Sequence, residues 1–147
     1  MTVFCYRYDY TYYGWQKVFK EEIMRKVLFQ YILDQYGVEP EFPWDGDEDS
    51  AVFRHKENRK WFALAMKVRK NRVGLSGEEV VDVVNLKIDD PILHDELVHE
   101  KGIVPGYHMN KSHWITVLLD GTVPQNQVFG LLDVSFSATG LKKKKRK

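Results

Sequence analysis

Eight basic side chains and one acid, Glu57, fall between Arg54 and Arg72. Arg54, Lys56, Arg59 and Lys60 cluster around a short polar link, and Lys67, Arg69 and Lys70 follow on the next apolar segment. Cations at this density could track a phosphate backbone through charge-assisted hydrogen bonds. Trp61 and Phe62 stand among them as rings able to stack on bases, although one of the two must face a core. The same charges on a hairpin edge would equally resist strand-to-strand aggregation, and sequence leaves both readings open. A second concentration lies between Pro105 and Trp114, where Tyr107, His108, Asn110, Lys111 and His113 follow one another closely. Polar groups gathered on a loop suggest ligand contact. In the structural alternative, Tyr107 and Trp114 anchor the loop while Asn110 and Lys111 make its turn. Lys111 joins the basic residues as a possible nucleic-acid contact.

Other chemistry is not supported by spacing. Asp45-Gly46-Asp47-Glu48-Asp49 begins like a calcium loop, but Ser50 takes the place of the turn glycine and Lys56 that of the bidentate glutamate. A solvated acidic loop is expected instead. His94 and His99 are five apart, about 140° round a helix, so they do not share a face. His108 and His113 are also five apart and would point to opposite sides of a strand. No metal site or cofactor is expected. Cys5 has no histidine or asparagine at a recognisable spacing, and no nucleophile elbow, Walker loop or dinucleotide fingerprint occurs. The expectation is a protein that is not an enzyme.

The charge total conceals its distribution. The chain has 147 residues with 22 Lys+Arg and 21 Asp+Glu, a formal net charge of +1. Lys142 to Lys147 are all basic, and removing these six leaves 16 basic and 21 acidic residues, a body of −5. Acidic blocks, Glu41–Asp49 and Glu78–Glu100, flank the basic segment. The body would therefore repel a polyanion except at the hairpin and the tail. The tail could serve as a nonspecific arm, a solubilising terminus or a localisation-type run. With 44% hydrophobic and 14% aromatic residues the chain should bury a single core. No apolar run reaches the ~20 residues of a membrane span, and one cysteine suits a reducing cytoplasm.

These groups need elements to position them. Phe4, Tyr6, Tyr8, Tyr10 and Tyr12 alternate at strand spacing. Gln16–Tyr36 has helix spacing, with Phe19, Ile23, Val27 and Tyr31 as its stripe, joined by Leu28 and Ile32, and Gly37 beyond its end. Ala51–Lys56 and Trp61–Val68 read as a hairpin, and Glu79–Ile88 as a valine-rich strand. Asp90-Pro91 reads as an N-cap followed by proline, opening a helix to Lys101. Trp114–Leu119 is a further strand. Thr122 and Gln125 have capping-box spacing before a helix over 124–137, with Val128, Phe129, Leu132 and Phe136 on its stripe. The class is α+β in two layers, an antiparallel sheet of about five strands with helices packed on one face. The expected organisation is an aromatic extension over 1–15, one domain over 16–141 and a basic tail over 142–147.

From about Lys20 onward the chain resembles the MmcQ/YjbR family of small bacterial proteins. The resemblance is carried by Phe42-Pro43-Trp44 leading into Ala51-Val52-Phe53-Arg54, by Lys60-Trp61-Phe62-Ala63-Leu64 and by Val84-Asn85-Leu86-Lys87. Its most specific stretch is Ile103 to Val117, and Ser135-Phe136 matches the family's closing motif. Arg59 departs from the pattern, because the family usually has glycine before the lysine of the second strand. The resemblance implies a YjbR-like α+β fold, related in shape to secretion chaperones and sometimes described as double-wing. It also implies a DNA-binding label that rests on fold analogy, and it brings no catalytic residues. The leading expectation is weak, salt-dependent contact with DNA; the alternatives are association with a protein partner or a second copy, and a small-ligand site at the Tyr107–His113 loop.

Overall fold

The structure, a computed structural model, describes residues 12–141. Of the expected aromatic strand Phe4–Tyr12, residues 4–11 lie outside the described residues, as does the basic tail, and Tyr12 opens a helix instead. The chain runs α1 (Tyr12–Tyr36), β1 (Ala51–Arg54), β2 (Trp61–Arg69), a 3-10 turn at Lys70–Val73, β3 (Val80–Lys87), α2 (Pro91–Leu97), β4 (Ile103–Pro105), β5 (Trp114–Leu118) and α3 (Gln125–Thr139). The five strands form one antiparallel sheet in the order β1-β2-β3-β5-β4. α1 and α3 cover one face, and the main core lies between them and Phe53, Phe62, Ala63, Ala65, Val84, Leu86, Ile115 and Val117. The other face holds a second apolar cluster of Val52, Leu64, Met66, Val68, Val73, Val81, Val83 and Leu118, packed by Trp61, Val104, Tyr107 and Met109. Among the described residues no helix is long and apolar enough to cross a membrane.

α1 begins at Tyr12, ahead of the expected Gln16, and ends as expected, with Gly37 at φ 67 donating its N–H to the Leu33 carbonyl at 2.9 Å. Its buried stripe is rotated by one residue from the expected one. Met24, Leu28 and Ile32 face the core, Val27 and Tyr31 flank it, and Ile23 is 39% exposed. In this rotation Arg25, next to Met24, reaches the buried Asp82 of β3 at 3.5 Å. At the other end of α1, Tyr31 and Tyr36 both donate to Asp133 of α3, while their rings stack on Phe129 and Phe136 at 4.0 and 3.8 Å. Burial and the adjacent Asp133 carboxylate push both phenols above their ordinary range.

Asp90 caps α2 as its sequence suggests, accepting from the N–H groups of Ile92 and Leu93 at 2.9 and 3.3 Å. The capping box expected at Thr122 does not form. Pro124 occupies the N-cap of α3 without a side-chain cap, and the Thr122 N–H is taken by Asp120 at 3.0 Å. Ile103–Pro105, for which the residue pattern gives no strand, forms the edge strand β4.

A β-bulge in the first hairpin sets the two faces apart. Phe53 pairs with Ala63 and Arg54 with Trp61, so Phe62 is the extra residue. Phe62 and Ala63 both turn to the helix side, and Trp61 goes to the opposite face. The interruption leaves backbone groups near the end of the β2–β3 ladder, and α3 supplies their partner. The buried Ser135 hydroxyl donates to the Phe62 carbonyl at 2.6 Å and accepts from the Lys87 N–H at 2.8 Å. Ser135→Ala should strand both groups and cost about 2–3 kcal/mol. Thermal unfolding should then shift down by roughly 5–10 °C, and a shift below about 2 °C would contradict this role for the hydroxyl.

Candidate nucleic-acid interface

The β1–β2 turn is closed by His55, whose N–H donates to Lys60 O at 2.9 Å and whose carbonyl accepts from Arg59 N–H at 3.0 Å. Arg59 adopts φ 63, the left-handed conformation that glycine supplies most easily. The turn thus keeps the geometry of a glycine while carrying a guanidinium. Asn58 serves both sides of the turn: its Oδ1 accepts from Lys60 N–H at 3.0 Å and its Nδ2 donates to Thr139 O at 2.9 Å. His55 is buried between Phe62 and Phe136 and pairs through Nε2 with Thr139 Oγ1 at 2.9 Å. The same hydroxyl donates to Ser135 O at 2.8 Å, which ties it to the last turn of α3. Gly140 packs so closely that an added Cβ would stand 3.1 Å from the His55 ring. The C-terminus of α3 is thereby fastened to the basic turn, and Leu141, the last described residue, follows directly.

The candidate cations do not form one stripe. Lys56, Arg59 and Lys60 sit at the turn end of β2, whereas Lys67, Arg69 and Lys70 sit at its far end, roughly 25 Å away by strand rise. The far group is engaged. Lys67 binds the buried Asp82 at 3.0 Å, Lys70 binds Glu79 at 3.2 Å, and Arg69 donates to Glu78 O at 3.4 Å. At the near end Glu41 accepts from Arg54 at 3.1 Å and from Arg59 at 3.3 Å. Among the described residues Lys56 and Lys60 have no ion-pair partner. Arg54 also lies over the Trp61 ring at 5.5 Å, and Trp44 meets Trp61 edge-on at 5.9 Å.

The second candidate loop, over 106–113, lies at the same end of the sheet, because Ala63, Leu86, Ile115 and Pro105 stand in register across β2, β3, β5 and β4. Its polar groups mostly hold the loop itself. Tyr107 N–H donates to Thr116 Oγ1 at 2.8 Å, Thr116 donates to Asn85 Oδ1 at 2.6 Å, and Asn85 Nδ2 returns to Tyr107 O at 2.9 Å. Asn110 accepts from Ser112 N–H at 2.9 Å, Lys111 donates to Gly106 O at 2.8 Å, and His113 pairs with Asp89 at 3.5 Å. His108 is exposed at φ 61 with its ring against Tyr107. Of the candidate groups, Asn110 and Lys111 build the turn, whereas His108 stays exposed and His113 reaches outward to Asp89. In the acidic loop, the Ser50 hydroxyl first, and then the N–H groups of Asp49 and Ser50, hold the Asp47 carboxyl below its ordinary range. Among the described residues no group of three or more His, Cys, Asp or Glu is placed to hold a metal ion.

Sequence reasoning gave no role to Glu41, His55 or Asn58, and marked Ser135 only through the resemblance. The only local signal was the Asn58-x-Lys60 spacing, which permits an Asx turn; the others act on residues distant in the chain.

An open five-stranded antiparallel sheet, covered on one face by two helices and closed by a last helix pinned to the first hairpin, defines a two-layer α+β domain. The chain belongs to the YjbR family, whose model matches residues 33–138. It is 37% identical to YyaQ of Bacillus subtilis over 117 residues, 80% of this chain and 98% of that protein. It is 32% identical to YjbR of Escherichia coli K12 over 77 residues, 52% of this chain and 65% of that one. Among solved structures, a crystal structure of a Pseudomonas syringae protein superposes with a TM-score of 0.76 at 41% identity, covering 79% of this chain and 98% of that chain. The Deinococcus radiodurans protein DR2400 superposes with a TM-score of 0.54 at 32% identity, covering 73% and 72%.

Two measurements probe the turn. Arg59→Gly removes a left-handed arginine that costs about 1 kcal/mol and loses only an exposed ion pair, so unfolding should move up by roughly 2–4 °C. Burial holds the His55 pKa below its ordinary value of 6.5. The folded state therefore binds fewer protons here than the unfolded chain, so stability is full above that value and falls as pH drops through it. Urea midpoints measured at about pH 7.5 and pH 5.5 should show this loss, and His55→Gln should reduce it.

Proposed function

We propose that the turn end of the sheet contacts nucleic-acid phosphates in a bacterial cytoplasm, without catalysis. The observation that carries the reading is the anchoring of α3 to the β1–β2 turn through Asn58, His55 and Thr139. The six basic residues after Leu141 are covalently joined to the chain at the place where Lys56 and Lys60 lack carboxylate partners among the described residues. Two basic groups that are far apart in sequence thus share an origin. Lys111 lies at the same end of the sheet. Glu57, Asp89 and Glu41 stand nearby and limit contact to a narrow front. The far-end cations Lys67 and Lys70 contribute little, since their charges are already matched. A second reading, association with a protein partner or another copy, draws support from Phe42 and Leu33, which are 49% and 42% exposed.

Fluorescence anisotropy with labelled duplex DNA over a salt series tests the first reading. Ending the chain at Leu141 should lower the salt slope by up to about five, and replacing Lys56 and Lys60 by alanine should lower it by about two. Lys67→Ala should leave it unchanged. Absence of salt-dependent binding at low ionic strength would remove the reading.

A further inference from the structure

We propose that the β1 edge of the sheet, where Trp44, Trp61 and Arg54 meet, is a stacking site for the bases of single-stranded nucleic acid. The inference rests on the phosphate-contact reading and names the form of nucleic acid that the same end of the sheet would take. The bulge at Phe62 delivers Trp61 to the face opposite the helices, beside Arg54 rather than into the main core. Trp44 joins it from the loop ahead of β1, with its ring edge-on to Trp61 and 42% of its surface exposed. Phe42, two residues earlier, is 49% exposed. Large aromatic surface left in water gains nothing for folding, whereas every base has a π-face that such rings accept whatever the sequence.

Charge selects the occupant. Arg54 covers Trp61 and Arg59 lies on the adjoining turn, so guanidiniums border the rings where a strand's phosphates would run. Glu41 currently occupies both guanidiniums. It is held in place by a backbone bridge to Val52, with N–H to carbonyl distances of 2.9 and 2.8 Å. A phosphate must therefore compete with the Glu41 carboxylate, and that competition keeps the site weak until a strand also stacks. Duplex DNA offers no open base faces to a surface tryptophan, so the edge distinguishes the two forms of nucleic acid.

The test uses the full chain with a labelled oligothymidine of about twelve nucleotides and a duplex of similar length, a span within the range of single-strand binding sites. Trp44→Ala should weaken binding of the single strand about tenfold and leave the duplex within about twofold. Trp44→Phe should recover most of the loss, and Glu41→Gln should tighten the single strand severalfold, while thermal unfolding reports that each variant is folded. Duplex and single strand bound alike by the parent and by Trp44→Ala would overturn the stacking site and leave the phosphate reading standing. No binding of either probe would remove both. Self-association abolished by Trp44→Ala, with neither probe bound, would assign the edge to a protein occupant instead.

Discussion

The extra residue at Phe62 decides which of two adjacent aromatic rings faces the helices. Strand alternation alone would send any neighbouring pair to opposite sides, but the bulge also shifts the register between β1 and β2. Phe53, Phe62 and Ala63 thereby all face the helices, while Val52, Arg54 and Trp61 face away. The Phe62 carbonyl, the Lys87 N–H and the Ser135 hydroxyl form one bridge across β2, β3 and α3. From that bridge follow the position of α3, the stacking of Tyr36 on Phe136 and the burial of His55.

The same closure explains how an almost neutral chain keeps a local positive front. Several cations are consumed by the fold: the half-buried Arg25 and the exposed Lys67 share Asp82, and Arg54 is held by Glu41. A buried carboxylate such as Asp82 requires such partners, since an unpaired charge in the interior is costly. What remains at the turn is exposed lysine, strongly hydrated and mobile in its rotamers, which in the proposed contact would meet phosphate by charge rather than by fixed geometry. The aromatic pair beside it supplies the flat surface that lysine lacks.

Much of the architecture was legible from residue pattern. The hairpin pattern located β2 and a valine-rich run β3, Asp90-Pro91 marked the start of α2, and Gly37 marked the end of α1, because each rests on local sequence. Local pattern failed elsewhere. The α1 stripe is turned by one position, an orientation in which Arg25 reaches Asp82, 57 residues on. The Thr122 capping box gave way to Asp120, and the short edge β4 was masked by Pro105 and Gly106.

The site divides in the same way. Residue types and spacing determined that the basic side chains cluster around one hairpin, that the 106–113 segment turns, and that the chain is a YjbR-family α+β domain. Sequence could not separate Lys56 and Lys60 from Lys67 and Lys70, because what distinguishes them is a partner brought from elsewhere: Asp82 and Glu79 at one end of β2, the C-terminus of α3 at the other. Nor could it assign Trp61 and Phe62 to their faces. That choice belongs to strand register and helix packing, which act between segments many residues apart, and only the tertiary structure brings those segments together.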